Sequence, residues 1–389
     1  MDDERRRRLT LAATVLGSSP AFPQARTRPL RADVVGSLLR PPELLDARAR
    51  HGRGELSREE LAAVEDAAVD VVLRRQAQCG LDAVTDGELR RLSFQSQMVE
   101  AVDGFGEWSL DAFLWGEWRS DTVGDLTLER PPLAVDGRLR RRRFLSAHEA
   151  AYALPRTDRT LKVTLPSPSL FSQFWDPVRS REAYPTLEAF LWDTARILRE
   201  EVEELVRLGV RYVQLDAPHY PLLLDERWRA FYEARGSVDL WLELDEDVLS
   251  AAPPGVVRGF HLCRGNQGSR WLVSGGYDLL AERIFPRVRA DRLLLEYDDE
   301  RSGSFEPLRH VPEDVTVVLG LVTTKTPRRE TPDALARRVE QAAALVPLER
   351  LAVSPQCGFA TSVVGNAITF EDQWAKLRAV ARTASLVWG

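Results

Sequence analysis

The chain has 389 residues, of which 44% are hydrophobic and 29% are charged, and its formal net charge is −6. This composition excludes a disordered, collagen-like or disulfide-stapled chain. The negative charge argues against a dominant nucleic-acid surface, and no uncharged apolar run approaches the roughly 18 residues of a membrane span. Lys162, Lys325 and Lys376 are the only lysines. Because arginine is the default cation here, each lysine is a candidate for a specific role.

The first residues, 1–29, are predicted to be an N-terminal extension that ends in a proline-containing linker. Its arginine run, Arg5–Arg8, faintly resembles a twin-arginine export signal, and a solvated helical extension is the preferred interpretation. The sequence has three cysteines, Cys79, Cys263 and Cys357. This small, odd number does not make a disulfide framework, so we expect reduced thiols and a cytoplasmic protein.

Eight short apolar runs are predicted to be buried strands. They cover residues 32–37, 83–87, 161–165, 212–215, 256–263, 292–296, 315–322 and 351–353. Helical patterns lie between most of them, the clearest over residues 59–79, 186–208, 331–345 and 370–387. This alternation predicts an α/β fold with a parallel sheet. Eight strands fit one closed (β/α)8 TIM barrel over residues 30–389. An open doubly wound sheet is the alternative, but the sequence that follows the first strand, Gly36-Ser37-Leu38-Leu39-Arg40, is not a dinucleotide fingerprint.

A long excursion of about seventy residues separates the second and third predicted strands, with an insertion over residues 103–158. It contains Trp108, Trp115 and Trp118, so one interpretation is an aromatic wall or lid over a site. The other, slightly preferred, is that it packs on the side of the barrel or on a second subunit. Within the insertion, Asp136-Gly137 predicts a hairpin turn, and Ser146 with Glu149 predicts a capping box.

Potential metal ligands cluster at the ends of three predicted strands. The fifth ends in His261-Leu262-Cys263, the sixth reaches Glu296, and the eighth runs into Cys357. Residues two apart on a strand point the same way, and a barrel gathers its strand C-termini on one face. Two thiolates, an imidazole and a carboxylate suit Zn²⁺ with one exchangeable position. The alternative is that His261, Cys263 and Cys357 are buried core residues.

Other strand ends carry groups suited to binding a zwitterion. Glu88 and Asp216 are candidates to hold an ammonium group, or else they cap the next helix. The backbone at Gly36 and Ser37 is a candidate to bind a carboxylate. Lys325 follows the seventh strand, either as a functional ammonium or as a solvated loop residue.

At these residues the chain resembles the C-terminal catalytic barrel of cobalamin-independent methionine synthase, from roughly Asp33 to Gly389. The resemblance rests on short motifs: Gly36-Ser37, Asp86-Gly87-Glu88, Gln214-Leu215-Asp216-Ala217-Pro218, His261-Leu262-Cys263, Glu296 and Gln356-Cys357-Gly358. It implies a (β/α)8 barrel with zinc on His261, Cys263, Glu296 and Cys357. It also implies homocysteine held by Glu88 and Asp216 at its amino group and by Ser37 at its carboxylate. Trp175 is the candidate for the family's pterin-stacking position.

Two departures from the family bear on the reaction. The second, N-terminal barrel of the full-length enzymes is absent from this sequence, which leaves the methyl donor open. Thr323 and Lys325 stand where the family carries a proton-donating Asp and His. We therefore expect Lys325, or a water that it orients, to supply the proton that the leaving group needs.

The predicted function is a zinc-dependent methyltransferase. In it, homocysteine, bound as a zinc thiolate, accepts a methyl group from 5-methyltetrahydrofolate or a related donor and becomes methionine. One alternative is a zinc enzyme that opens an epoxide with coenzyme M or another thiol, and another is a non-catalytic zinc-binding barrel. The expected partners are the thiol and the methyl donor, without nucleic acid or membrane, and a homo-oligomer is left open.

Overall fold

The computed structural model of the protein describes residues 29–389. The predicted N-terminal extension therefore lies, apart from its last residue, outside the described residues. Within the described range, no helix combines the length and the apolar character needed to cross a membrane.

A parallel sheet of seven strands forms the centre of an α/β fold, in the order β1-β6-β7-β8-β9-β10-β11. Two small antiparallel pairs, β2 with β5 and β3 with β4, lie outside it. The strands are β1 Ala83–Val84, β2 Val102–Phe105, β3 Gly116–Trp118, β4 Leu126–Leu128, β5 Val135–Arg141, β6 Thr160–Pro166, β7 Tyr212–Asp216, β8 Val257–Leu262, β9 Arg292–Glu296, β10 Thr316–Val322 and β11 Leu351–Pro355. Seven of the eight predicted strands thus form the parallel sheet.

The first predicted strand, residues 32–37, is reduced to a single parallel bridge between Ala32 and Val353. Its backbone still contacts both edges of the sheet. Asp33 N donates to Val353 O of β11 at 2.9 Å, and Asp82 N, just before β1, donates to Ala32 O at 2.9 Å. The strand pairing stops there because side chains bind the next backbone groups. Asp33 Oδ1 accepts from Val34 N, and Lys162 donates to Val34 O.

Eleven α-helices occur in the described part of the chain. They are α1 Pro42–Gly52, α2 Arg58–Cys79, α3 Ser96–Ala101, α4 Ala147–Ala153, α5 Leu187–Leu208, α6 His219–Leu222, α7 Glu226–Glu233, α8 Val238–Ser250, α9 Asp278–Ile284, α10 Pro332–Ala343 and α11 Phe370–Trp388. The four helices predicted from the sequence are α2, α5, α10 and α11. Their ends follow local signals, as in α2, which begins at a capping box of Ser57 with Glu60 and ends at Gly80 with φ of 93°.

The sheet separates two apolar regions, because alternate residues of a strand face opposite sides. Leu293 and Leu295 of β9 belong to the main core, which also contains the buried faces of the long helices. Leu294 faces the other side and belongs to a separate four-residue cluster, Val35, Leu294, Val318 and Ala352. The side of the sheet that carries this small cluster also carries the polar groups described below.

Two local predictions in the insertion are wrong. Asp136 and Gly137 lie inside β5 rather than in a hairpin turn. Ser146 precedes α4 without capping it through its side chain, because Arg91 takes both proposed partners. Its guanidinium donates to Ser146 Oγ at 3.2 Å and to Glu149 Oε2 at 2.7 Å.

All three lysines of the sequence are buried, with side-chain exposures of 0% for Lys162, 3% for Lys325 and 0% for Lys376. Each ammonium faces a carboxylate: Asp33 at 2.9 Å, Glu296 at 2.9 Å and Glu330 at 3.3 Å, respectively. The rare lysines are therefore internal charge partners, and the solvated-loop interpretation of Lys325 is wrong.

Candidate functional site

Three potential metal ligands meet where the parallel strands end. His261 lies on β8, Cys263 follows the end of that strand, and Cys357 comes two residues after β11. One ligand atom from each of the three residues lies within 4.8 Å of the others, and all three residues are buried. The structure thus brings together three of the four residues predicted to hold zinc.

The imidazole of His261 is oriented for metal binding. Its Nδ1 lies 3.2 Å from the carbonyl oxygen of Leu294, so Nδ1 carries the proton and donates it to that carbonyl. Its Nε2 is buried and has no hydrogen-bond partner among residues 29–389. Such an arrangement, with the second ring nitrogen fixed by a carbonyl, is typical of metal-binding histidines.

The two thiols behave as one pair. A hydrogen bond from Cys357, helped by His261, holds the pKa of the Cys263 thiol well below its ordinary value. The pKa of Cys357 is raised, because it donates that hydrogen bond and is buried beside a partner carrying negative charge. Two buried sulfurs beside an imidazole nitrogen form a donor set that fits Zn²⁺.

Glu296, the fourth predicted ligand, is adjacent but engaged elsewhere. Its Oε1 accepts from Lys325 Nζ at 2.9 Å and its Oε2 from Arg264 N at 2.7 Å. Burial raises the pKa of Glu296, but the charges of Lys325 and Arg264 outweigh this effect and lower it to about 2. Glu296 is therefore an anion outside the three-residue group, and its role as a ligand stays a prediction.

The surroundings of Lys325 do not favour the predicted role of proton donor. Lys325 does not line the cavity described below, and its ammonium is bonded to Glu296. Burial lowers its pKa, but Glu296 and Asp298 outweigh burial and raise it. An ammonium with a raised pKa that faces a carboxylate is a charge partner, so Lys325 balances the charge of Glu296.

A cavity opens above the three ligands, with about 890 Å³ of space between its lining atoms, part of it continuous with solvent. Its lining includes the three ligands and the three residues predicted to bind an amino acid, Ser37, Glu88 and Asp216.

Glu88 extends its carboxylate into the cavity from a backbone with φ of 54°, which is uncommon for a residue other than glycine. Its Oε1 accepts from Thr164 Oγ1 at 2.8 Å, and its Oε2 is buried without a partner among the described residues. Gly36 makes room for it, because a Cβ at that position would lie 2.3 Å from Glu88 Oε1.

Asp216 ends β7 and pairs in register with His261 of β8. Its Oδ1 accepts from Gln214 Nε2 at 2.7 Å. Burial raises the pKa of Asp216 to about 7, and the negative charge of Glu88 adds to this effect. Two carboxylates facing one cavity make a site that a cation would stabilise.

Ser37 sits against the loop that carries Cys357. Its carbonyl accepts from Phe359 N at 2.8 Å, and a Cβ at Gly358 would lie 2.0 Å from Ser37 Oγ. Glycine at position 358 therefore allows Ser37 to pack beside the cysteine loop at the cavity wall.

Trp175, the predicted pterin-stacking residue, does not line the cavity. Its indole Nε1 donates to the carbonyl oxygen of Tyr184 at 3.2 Å instead. The aromatic lining comes from Trp115 and Trp118, which the sequence offered as part of a possible wall, and from residues that the prediction missed: Phe94, Phe113, Trp228 and Tyr232.

Half of the aromatic wall comes from the predicted insertion, which supplies Phe113, Trp115 and Trp118. Trp115 and Trp228 lie with ring centroids 4.8 Å apart, and Trp115 Nε1 donates to Gln173 Oε1 at 2.6 Å. The tryptophans of residues 108–118 were the available sequence signal. Of the two interpretations of the insertion, the structure favours the aromatic wall that covers the site. This is the interpretation that the sequence favoured less.

Comparisons with known proteins match most of the chain. The family model for the cobalamin-independent synthase catalytic domain matches residues 30–244 and 260–381. An uncharacterized protein of Bacillus subtilis (strain 168), YxjH, is 36% identical over 93% of this chain and 96% of its own length. The methionine synthase of Pyrococcus abyssi (strain GE5 / Orsay) is 26% identical over 85% of this chain and 86% of its own length.

Solved structures show the same likeness. A putative vitamin-B12-independent methionine synthase from Listeria monocytogenes is 28% identical, with a TM-score of 0.71, over 94% of this chain and all of the other. A B12-independent methionine synthase from Shewanella sp. W3-18-1, solved in complex with selenomethionine, has a TM-score of 0.70 at 21% identity over 92% of this chain and 97% of its own, and so supports the fold. The chain therefore belongs to the cobalamin-independent methionine synthase family, whose members are methyltransferases of methionine biosynthesis.

Proposed function

We propose that this chain methylates the thiol of homocysteine, using Zn²⁺ held by His261, Cys263 and Cys357. The observation that carries the proposal is the convergence of these three ligands with two buried carboxylates, Glu88 and Asp216, around one cavity. A thiol-activating metal beside an acceptor for an ammonium group matches the two ends of an amino-acid thiol.

The three residues proposed to hold the metal have separate tasks. The imidazole of His261 presents its unpartnered Nε2, while its Nδ1 hydrogen bond keeps the ring in place. When bound, zinc supplies the positive charge that lets a thiol lose its proton near neutral pH. Three protein ligands would leave a position for the substrate thiol, and Glu296 is proposed as a weak fourth ligand.

The carboxylates bind and orient the amino acid. Glu88 Oε2 and the second oxygen of Asp216 are the acceptors proposed for the substrate ammonium group. Charge-assisted hydrogen bonds of this kind fix both position and orientation. The backbone at Ser37 is the proposed partner of the substrate carboxylate.

The proposed methyl donor is 5-methyltetrahydrofolate or a related carrier, bound against the aromatic wall. Aromatic side chains such as Trp115 and Trp118 cover a planar donor and exclude water from the site of transfer. One relative, from Paraburkholderia phytofirmans (strain DSM 17436 / LMG 22146 / PsJN), bears the name 5-methyltetrahydropteroyltriglutamate–homocysteine methyltransferase. It is 27% identical over 84% of this chain, which spans 39% of that protein.

The alternatives fit the cavity less well. Coenzyme M ends in a negatively charged sulfonate, which the carboxylates of Glu88 and Asp216 would repel. A non-catalytic zinc site would be closed by four firmly bound protein ligands, whereas three meet here and the carboxylate of Glu296 is bound by Lys325 and Arg264.

The proposed architecture is a closed (β/α)8 barrel over residues 30–389 that carries the insertion 103–158. Its support is the segment Arg31–Asp33, which hydrogen bonds to Val353 of β11 and to Asp82 before β1. A strand in the eighth position, between the edge strands β1 and β11, would close the sheet into a barrel. The C-terminal ends of the strands would then surround one opening.

The test offers zinc-loaded protein either homocysteine or coenzyme M, each paired with methyltetrahydrofolate, methylcobalamin or an epoxide. We expect methionine from homocysteine and a methyl donor, identified by mass spectrometry. X-ray absorption at the zinc edge should show one more sulfur ligand after homocysteine is added. Absence of methionine with every methyl donor, together with an unchanged zinc spectrum, would contradict the proposal.

A further inference from the structure

A chain of hydrogen bonds runs beneath the cavity from a buried ion pair to Asp216. Lys162 Nζ donates to Asp33 Oδ1 at 2.9 Å and to Gln214 Oε1 at 2.8 Å. Gln214 Nε2 then donates to Asp216 Oδ1 at 2.7 Å. Lys162, Asp33 and Gln214 are at most 1% exposed, so solvent does not compete for these hydrogen bonds.

The lysine fixes the orientation of the Gln214 amide. An ammonium has only donors, so the group that faces Lys162 must be the amide oxygen. The amide nitrogen consequently points the other way, where it finds two acceptors: Asp216 Oδ1 and the carbonyl oxygen of Val35 at 3.1 Å. A reversed amide would place a donor against Lys162 and an acceptor against the Asp216 carboxylate.

This arrangement holds Asp216 without pairing it with a cation. The amide of Gln214 is neutral, so Asp216 gains a fixed orientation without a cation in contact that would neutralise its carboxylate. One of its oxygens accepts from Gln214, and the other is available at the cavity. The lining of that cavity also includes Glu88 and the three potential metal ligands. A lysine in direct contact with Asp216 would have satisfied the carboxylate and removed its attraction for a substrate cation.

We propose that Gln214 and Lys162 are positioning residues that give the site its preference for thiols bearing an amino group. They act through Asp216, whose free oxygen they aim at the substrate ammonium. The inference rests on the proposed function and adds to it the residues that set substrate class.

The test compares homocysteine with γ-mercaptobutyrate, which is homocysteine without its amino group. Binding of each thiol to zinc-loaded wild type, Gln214→Met and Gln214→Glu is measured by titration calorimetry. Methionine has the length of glutamine and no donor, and glutamate keeps an acceptor for Lys162 but turns an acceptor toward Asp216. We expect the preference for homocysteine to fall about tenfold or more in both variants, because a hydrogen bond to a charged group is lost. Affinity for γ-mercaptobutyrate and zinc content should stay unchanged.

Tyr212→Phe is the matched control. Tyr212 Oη donates to Asp33 Oδ2 at 3.0 Å, on the far side of the same ion pair. Its loss perturbs the buried network without touching Gln214, so thermal stability should fall while the preference for homocysteine stays. A preference lost equally in Tyr212→Phe would indicate a merely structural role and overturn the inference.

The outcomes separate this inference from the proposed function. If wild type prefers homocysteine and the folded Gln214 variants keep that preference, the positioning role is overturned and the proposed function stands. If wild type binds neither thiol, the proposed function fails and the inference fails with it.

Discussion

Gly36→Ala is the substitution that most directly tests the placement of Glu88. The added methyl carbon would lie 2.3 Å from Glu88 Oε1 and 3.1 Å from Thr164 Cγ2. Gly36 is not among the residues with positive φ, so alanine is compatible with the backbone and the effect comes from the contact alone. The backbone of Glu88 is held by Arg40, which donates to its carbonyl at 3.0 Å. The side chain must therefore move.

The size of the effect follows from that displacement. The carboxylate must retreat by about 1 Å to reach an ordinary carbon–oxygen contact, which breaks the 2.8 Å bond from Thr164 Oγ1. Overpacking of this kind costs about 1–3 kcal/mol of stability. Misplacing one charged acceptor of the substrate ammonium should cost at least about 1.4 kcal/mol of binding, which is a tenfold rise in KM for homocysteine.

The assay measures KM for homocysteine and the free energy of unfolding in urea for wild type and Gly36→Ala. Gly137→Ala is the control, because its Cβ would meet only Gly104 Cα, at an ordinary 3.5 Å. We expect a raised KM and lower stability in the first variant and neither change in the second. Lower stability with an unchanged KM would refute the assignment of Glu88 to the substrate site.

Three further predictions concern other parts of the molecule. Cys357→Ser should lose zinc together with activity, whereas Cys79→Ser should keep both, as measured by metal analysis after dialysis; full zinc content in the first would remove Cys357 from the ligand set. Asp216→Asn should raise KM for homocysteine by about tenfold or more while leaving the melting temperature nearly unchanged, and an unaltered KM would make Asp216 structural. Burial raises the pKa of Asp245 to about 7. Its protonated form is therefore favoured in the folded state, and its contribution to stability is complete below about pH 4 and is lost as pH rises to 7. Relative to Asp245→Asn, wild type should lose a few kcal/mol of unfolding free energy over that pH range, and parallel curves would contradict the assignment.

Much of the fold was predictable because its signals are local. The helices over α2 and α5 follow from a capping serine or threonine and a terminal glycine, and the strands follow from apolar runs. The meeting of His261, Cys263 and Cys357 was predictable because all three fall at strand ends, which a parallel sheet gathers at one edge.

The errors arise where side chains from outside an element bind backbone groups that the pattern assigns to it. β1 stops at Val84, because Gln76 donates to Thr85 O at 2.7 Å and accepts from Thr85 N at 3.1 Å. The ion pair of Glu296 with Lys325 joins residues 29 apart in sequence, and the hydrogen bond of Trp175 outside the cavity joins it to Tyr184, nine residues on. Periodicity and spacing carry no information about such contacts.

The burial of every lysine has a practical consequence. Lys162, Lys325 and Lys376 are the only ε-amino groups in the chain, and their side chains are between 0% and 3% exposed. Acylation of the lysine ε-amino groups, and cleavage by proteases specific for lysine, therefore require the structure to open. Acylation rates at each of the three positions would report separately on opening beneath the cavity, beside Glu296 and along α11.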